Sequence, residues 1–257
     1  MLRLVQYFIV GVFLFFHSGG HAATLHAILV GDVEDPSIGV AVRNDIALMH
    51  QRVQDIARLA DMSLAETVLT EKDYTYAKVT KELARLTVAS DDVIIYYHSS
   101  HGFRTSNMSE PWPALYFGDN DKSIRLQSLI DIIRSKKPAF SVVLADACNS
   151  FVTYAWGYPN APFYSNFPSE SEQKKGYRRL FRETRGCFIA SSSGPGQSSY
   201  SLNGVGAIFT GCFLQGLDSA LIKGQADWSK VVAATSQFTK QYVTRYGLDQ
   251  TPKFQIK

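Results

Sequence analysis

Apolar positions along the chain follow two rhythms that take turns. Short, nearly continuous apolar runs occupy residues 26–32, 66–70, 91–97, 140–145, 186–190 and, after Pro252, 253–256. Runs of this kind predict strands buried on both faces. Between them, apolar residues return at three- and four-residue steps: Ile46, Met49, Val53, Ile56 and Ala60, then Tyr76, Val79, Leu83 and Leu86, then Ile124, Leu126, Leu129, Ile130 and Ile133. That period predicts amphipathic helices, the first over 42–60. Two more fit near 205–222 and 227–245, and residues 113–119 read as part of a small hairpin. The alternation predicts an α/β fold with a mostly parallel central sheet of about six strands and helices on both faces.

Two stretches break the pattern. Arg3 is followed by residues 4–16, apolar apart from Gln6, and then by the small residues around Ser18, Gly19, Gly20, Ala22 and Ala23. This is the layout of a secretory signal peptide over 1–23, cleaved near Ala22 or Ala23. The run is too short to span a bilayer, which takes about 20 residues. Export to a periplasmic or extracellular space is therefore expected, with no stable membrane insertion once the leader is gone. The second break, residues 151–185, carries Tyr158, Pro159, Pro162, Phe163, Phe167 and Pro168 before a basic end with Lys174, Lys175, Arg178, Arg179, Arg182 and Arg185. It reads as a long insertion loop, mobile at its basic end. Residues 24–257 otherwise form one domain.

Composition narrows the function. The 257 residues are 46% hydrophobic and 19% charged, as expected of a globular chain. A net charge of +3 is too weak a bias to indicate a nucleic-acid partner. Three cysteines, Cys148, Cys187 and Cys212, exclude a disulfide-dense scaffold. Cys187 and Cys212 could pair after export or remain two buried thiols.

Ligands of open α/β sheets bind beyond the carboxyl ends of the strands. One predicted strand ends in His98-Ser-Ser-His101-Gly102 and the next buried one in Asp146-Ala-Cys148-Asn149-Ser150. A thiol and an imidazole are thus expected at one sheet edge, each followed by small residues that admit a substrate backbone. His98 lies nearer its strand and is expected to pack.

The segments YYHSSHG and VVLADACNS resemble the caspase family in the broad sense, above all metacaspases and bacterial caspase-like peptidases. The separation of 47 residues between His101 and Cys148 is near the roughly 50 of caspases. VRNDIALM, GVGAIFTGCFLQGL and QTP are similar to further segments of the family, and the resemblance spans nearly all of residues 25–257. It implies a cysteine endopeptidase with Cys148 as nucleophile and His101 as general base and acid. The N–H groups of Gly102 and Cys148 are then the oxyanion donors. Asp45 and Asp146 match the metacaspase acidic pocket, which implies protein or peptide substrates cut after Arg or Lys. Ser191, with Ser192 and Ser193, falls where the family pairs substrate backbone.

This sequence departs from the pattern in having Asn149 where metacaspases usually have His. No cofactor or metal is called for: Asp119 and Asp121 are spaced like ligands, but calcium takes 6–8 oxygens. In an acidic-pocket protease the basic residues of 174–185 are candidate self-cleavage sites or simply a solvated loop. The rival readings are a catalytically silent peptide-binding module with the same cleft and a metal hydrolase built on His98-x-x-His101. The second lacks a nearby Glu and a helical setting. Gly-x-Ser-x-Gly is absent, which argues against a serine hydrolase.

Overall fold

The computed structural model describes residues 22–151, 157–158, 168–202, 204–222 and 226–257. The expected leader lies outside these residues except for Ala22 and Ala23. The chain runs β1 (Thr24–Gly31), α1 (Gly39–Leu59), β2 (Ser63–Leu69), α2 (Tyr76–Arg85) and β3 (Val93–Ser99). A short three-stranded antiparallel meander follows, β4 (Gly102–Phe103), β5 (Ala114–Phe117) and β6 (Lys122–Arg125). Next come α3 (Leu126–Ser135), β7 (Phe140–Asp146), β8 (Gly157–Tyr158), α4 (Glu170–Tyr177) and β9 (Gly186–Ser191). The chain ends with β10 (Ser201–Leu202), β11 (Gly206–Ala207), α5 (Ile208–Leu221), α6 (Trp228–Tyr246) and β12 (Lys253–Ile256).

The main sheet has six strands in the order β12-β9-β7-β3-β1-β2, parallel except for the antiparallel edge strand β12. Every residue of β3 and β7 is buried, because helices cover both faces. Successive side chains point to opposite faces. Val93, Ile95 and Tyr97 therefore join the core beneath α1, α5 and Trp228 of α6, while Ile94 and Tyr96 join the one beneath α2 and α3.

Because β2 and β3 flank β1 on opposite sides, the strand order reverses at β1 and β3. Such a switch point opens a crevice at the carboxyl ends of the strands. In the pairing of β3 with β7, Ser99 lies beside Asp146, so His101 and Cys148 each sit two residues beyond partnered positions.

The basic end of the 151–185 insertion differs from the expected mobile loop. Most of residues 152–167 lie outside the described residues, but 170–177 form α4 and 178–183 continue as one turn of π-helix. Ser169 and Glu172 make a reciprocal capping box at the start of α4. Tyr177, Leu180 and Phe181 are buried, and Asp61 receives Lys174 at 3.6 Å and Arg178 at 2.5 Å. The apolar positions among the cations hold this segment down. All three cysteines are free thiols: Cys187 packs on the α2–α3 face of the sheet, and Cys212 in a separate small cluster with Leu202 and Ile208.

Candidate active site

One narrow cleft at the carboxyl ends of the strands is lined by His101, Cys148, Asp45 and Asp146, together with Ile38, Ser199 and Ala207 among others. Its free volume is about 40 Å³.

Cys148 sits on the loop after β7. The N–H groups on either side are taken: Ala147 donates to Ser192 Oγ at 3.0 Å and Asn149 to Gln197 O at 2.9 Å. The Cys148 N–H between them has no acceptor among the described residues. The Cys148 thiol accepts the Ser199 N–H at 3.3 Å, and burial pushes it above the usual range despite that hydrogen bond. Asn149 is fully buried; its side chain donates to Pro111 O at 2.8 Å and Ser193 O at 3.2 Å and accepts from Arg104 Nε at 3.0 Å. It ties the thiol loop to two neighbouring loops.

Gly102 lies against that loop. A Cβ at Gly102 would stand 2.5 Å from Cys148 O and 2.7 Å from Ala147 Cβ. Tyr116 N–H donates to His101 O at 3.0 Å, which makes His101 and Tyr116 a hydrogen-bonded pair of the meander. The next pair, Gly102 with Leu115, is then the non-bonded kind, and Gly102 turns its N–H away from β5.

His101 Nε2 lies 3.1 Å from Asp35 Oδ2 on the β1–α1 loop and 3.4 Å from Ser37 Oγ. Neither partner was legible as a site residue; both stand in an ordinary loop in the sequence. His98, as expected, packs: it is fully buried and bonds Tyr96 OH at 2.8 Å, and burial drives it down to about 3, so it is neutral. With His98 turned into the core, the His98-x-x-His101 pair does not converge. Among the described residues no three His, Cys, Asp or Glu side chains are grouped to hold a metal ion.

Asp45 and Asp146 meet at the N-terminus of α5. Asp45 Oδ1 accepts the Ala207 N–H at 2.9 Å; Asp146 Oδ2 accepts the Thr210 N–H at 3.0 Å and its hydroxyl at 2.7 Å. Carboxylates are favoured at such an end. Asp45 is the seventh residue of α1, so it serves the start of another helix rather than its own. Burial above all, and then the charge of Asp146, push the Asp45 carboxyl well above the carboxylate range. Burial also raises Asp146, opposed by the hydrogen bonds of Thr210 and Ser199.

Ser191 departs from its expected role in binding substrate. It is fully buried and its hydroxyl donates to Ser193 O at 3.1 Å. Ser192 and Ser193 each donate to Ala147 O at 3.0 Å. The triple serine braces the backbone beside Cys148, and the serines that line the cleft are Ser99, Ser100, Ser199 and Ser201. Ser199 Oγ donates to Asp146 Oδ1 at 2.7 Å. Nothing separates Ser199 from the other loop serines in the sequence.

The caspase-domain family matches residues 39–256. The chain belongs to this family, whose members are cysteine peptidases. The fold is similar to that of caspase-1 from Spodoptera frugiperda, which is 13% identical, with 92% of this chain and 86% of that one covered and a TM-score of 0.53. It is also similar to the Drosophila initiator caspase Dronc, at 13% identity, 91% and 79% coverage and a TM-score of 0.51. No curated protein matches the chain.

Proposed function

We propose that this protein is a cysteine endopeptidase that cuts after Arg or Lys, with Cys148 and His101 as the catalytic pair. The observation that carries the reading is the lining of one cleft by a thiol, an imidazole and two buried carboxylates. His101 takes the proton of the Cys148 thiol. The sulfur then bonds to the carbonyl carbon, and the π electrons move onto oxygen between the N–H groups of Gly102 and Cys148. Collapse of this adduct expels the amine, which takes the proton back from the imidazolium, and a thioester remains. Water attacks the thioester, giving a proton to His101. The C–S bond breaks, the acid leaves, and the proton returns to sulfur.

Asp45 and Asp146 supply the recognition. A guanidinium or ammonium group offsets the burial, and then the charge of Asp146, that raise Asp45, by charge-assisted hydrogen bonds. The present 40 Å³ is room for only about two or three waters. An entering basic side chain therefore displaces the Ser199 hydroxyl from Asp146. The leader-like residues 1–23 support export to a periplasmic or extracellular space, tested by reading the N-terminus of the mature protein. Reporter peptides ending in Arg, Lys, Asp or Leu test the activity: Arg and Lys reporters are hydrolysed, and Cys148→Ala and His101→Ala each abolish it. Hydrolysis that persists in either variant overturns the pair.

A further inference from the structure

The loop between β1 and α1 crosses the sheet's switch point and delivers one carboxylate to the imidazole. Asp35 is placed there by its own turn. Its Oδ1 accepts the Ser37 N–H at 2.7 Å, the Ser37 hydroxyl at 2.6 Å and the Ile38 N–H at 3.0 Å. Its main-chain oxygen accepts the Gly39 N–H at 2.9 Å. These bonds engage Oδ1 with the start of α1 and leave Oδ2 for His101 Nε2, 3.1 Å away. Partial burial works against ionisation, but the hydrogen bonds from Ser37 and Ile38 outweigh it and hold the Asp35 carboxyl below its usual range. An ionised carboxylate only accepts hydrogen bonds, so the neutral ring that faces it carries its proton on Nε2.

We propose that Asp35 is a positioning residue for His101: Oδ2 fixes the Nε2–H tautomer and the ring's orientation, leaving Nδ1 as the nitrogen that exchanges a proton with Cys148. This rests on the peptidase reading above and extends its pair to a carboxylate–imidazole–thiol chain, with the division of roles known for carboxylates behind catalytic imidazoles. When Nδ1 takes the thiol proton, the ring becomes a cation held against Asp35, and the Nε2–H bond becomes charge-assisted from both sides. The same side chain thus does two separable things: Oδ1 holds the turn that leads into α1, and Oδ2 sets a tautomer.

Asp35→Asn separates them. The amide oxygen can still accept from Ser37 and Ile38, but an N–H now faces Nε2, and the ring is driven to carry its proton on Nδ1. With an Arg reporter, kcat is expected to fall about 10²- to 10⁴-fold, with KM and the thermal midpoint close to wild type. Asp35→Glu recovers part of kcat. Ring ¹⁵N spectra of the neutral imidazole are expected to show Nε2–H in the wild type and Nδ1–H in Asp35→Asn. A kcat within threefold of wild type, a change confined to KM, or a wild-type ring protonated on Nδ1 overturns the proposal. Wild-type protein inert toward every peptide would sink the peptidase reading instead, and the ring spectra would still decide the tautomer.

Discussion

Gly206 faces the Asp45 carboxylate so closely that a Cβ at this glycine would stand 2.5 Å from Asp45 Oδ1. Its φ of +139° is also one that side chains rarely adopt. The glycine leaves room for the carboxylate and lets the following Ala207 N–H reach it. Gly206→Ala is expected to displace Asp45 and weaken the preference for Arg over neutral reporters. A lost charged hydrogen bond of about 1.5–3 kcal/mol corresponds to roughly 10- to 100-fold in kcat/KM. An unaltered preference would refute the pocket role of Asp45.

Asp45 is held at a cost to the fold. In the unfolded chain an Asp titrates near 3.9; in the folded protein burial and the charge of Asp146 move Asp45 well above that. The favourable contribution of such a group is complete below the unfolded value and is lost as pH rises through the folded one. Asp45→Asn escapes that loss. Its thermal midpoint is expected to exceed that of wild type at pH 7–8 by about 2–4 °C, equivalent to about 1 kcal/mol, and the gain vanishes near pH 4. KM for an Arg reporter rises in the same variant. A midpoint below wild type at pH 8 contradicts this account.

Gly102 sets the approach of two loops. Gly102→Ala places a methyl against Cys148 O and Ala147 Cβ, and overpacking of this sort costs about 1–3 kcal/mol. The variant is expected to show a lower urea midpoint and a kcat reduced by far more than KM changes. Wild-type kcat would mean that the Gly102–Cys148 contact is not part of the oxyanion arrangement.

The three thiols differ in access. Cys148 lines the cleft, whereas Cys187 is 2% and Cys212 0% exposed. Burial raises all three thiols, Cys212 to about 12, so the open cleft beside Cys148 is what sets it apart. Iodoacetamide under native conditions is expected to label Cys148 alone, and all three after unfolding. Native labelling concentrated on Cys187 would reverse that order. Cys187→Ser and Cys212→Ser leave reporter hydrolysis intact.

The helical basic segment bears on self-cleavage. Extended backbone is the usual form in which proteases receive a chain, and residues 174–182 are helical and docked on Asp61. Wild-type enzyme is expected to leave the 174–182 bonds of a Cys148→Ala substrate protein uncut under native conditions. Ser169→Ala, which removes the cap, lowers stability by about 1 kcal/mol and speeds any cut there. Rapid native cleavage at Arg178 or Arg179 would show that this helix opens readily.

How far the sequence could be read depends on range. The strand run of 140–145 lies within β7, that of 91–97 overlaps β3 from Val93 onward, and the periodic positions Ile46 to Ile56 lie along α1 with Ala60 as its C-terminal cap, because burial on both faces or on one stripe writes itself into local order. The capping box of Ser169 and Glu172 went unread, because the cations that follow it suggested a solvated loop. Ser191 looked like a cleft residue because it ends a strand; its hydroxyl turns inward to brace the nucleophile loop, and Ser199, eight residues on, comes back over the sulfur.

Patterns local to the chain were enough to place the strands, the helices that cover them and the arrival of Cys148 and His101 at one edge, since alternation of buried runs and amphipathic periods is a short-range property. The tertiary structure alone decided which distant groups serve those two residues. Asp35 meets His101 because the strand order reverses between β1 and β3, and Asp45 meets Asp146 because α5 points its N-terminal N–H groups at both. These are contacts between segments up to 162 residues apart, fixed by register and packing, and no period along the chain encodes them.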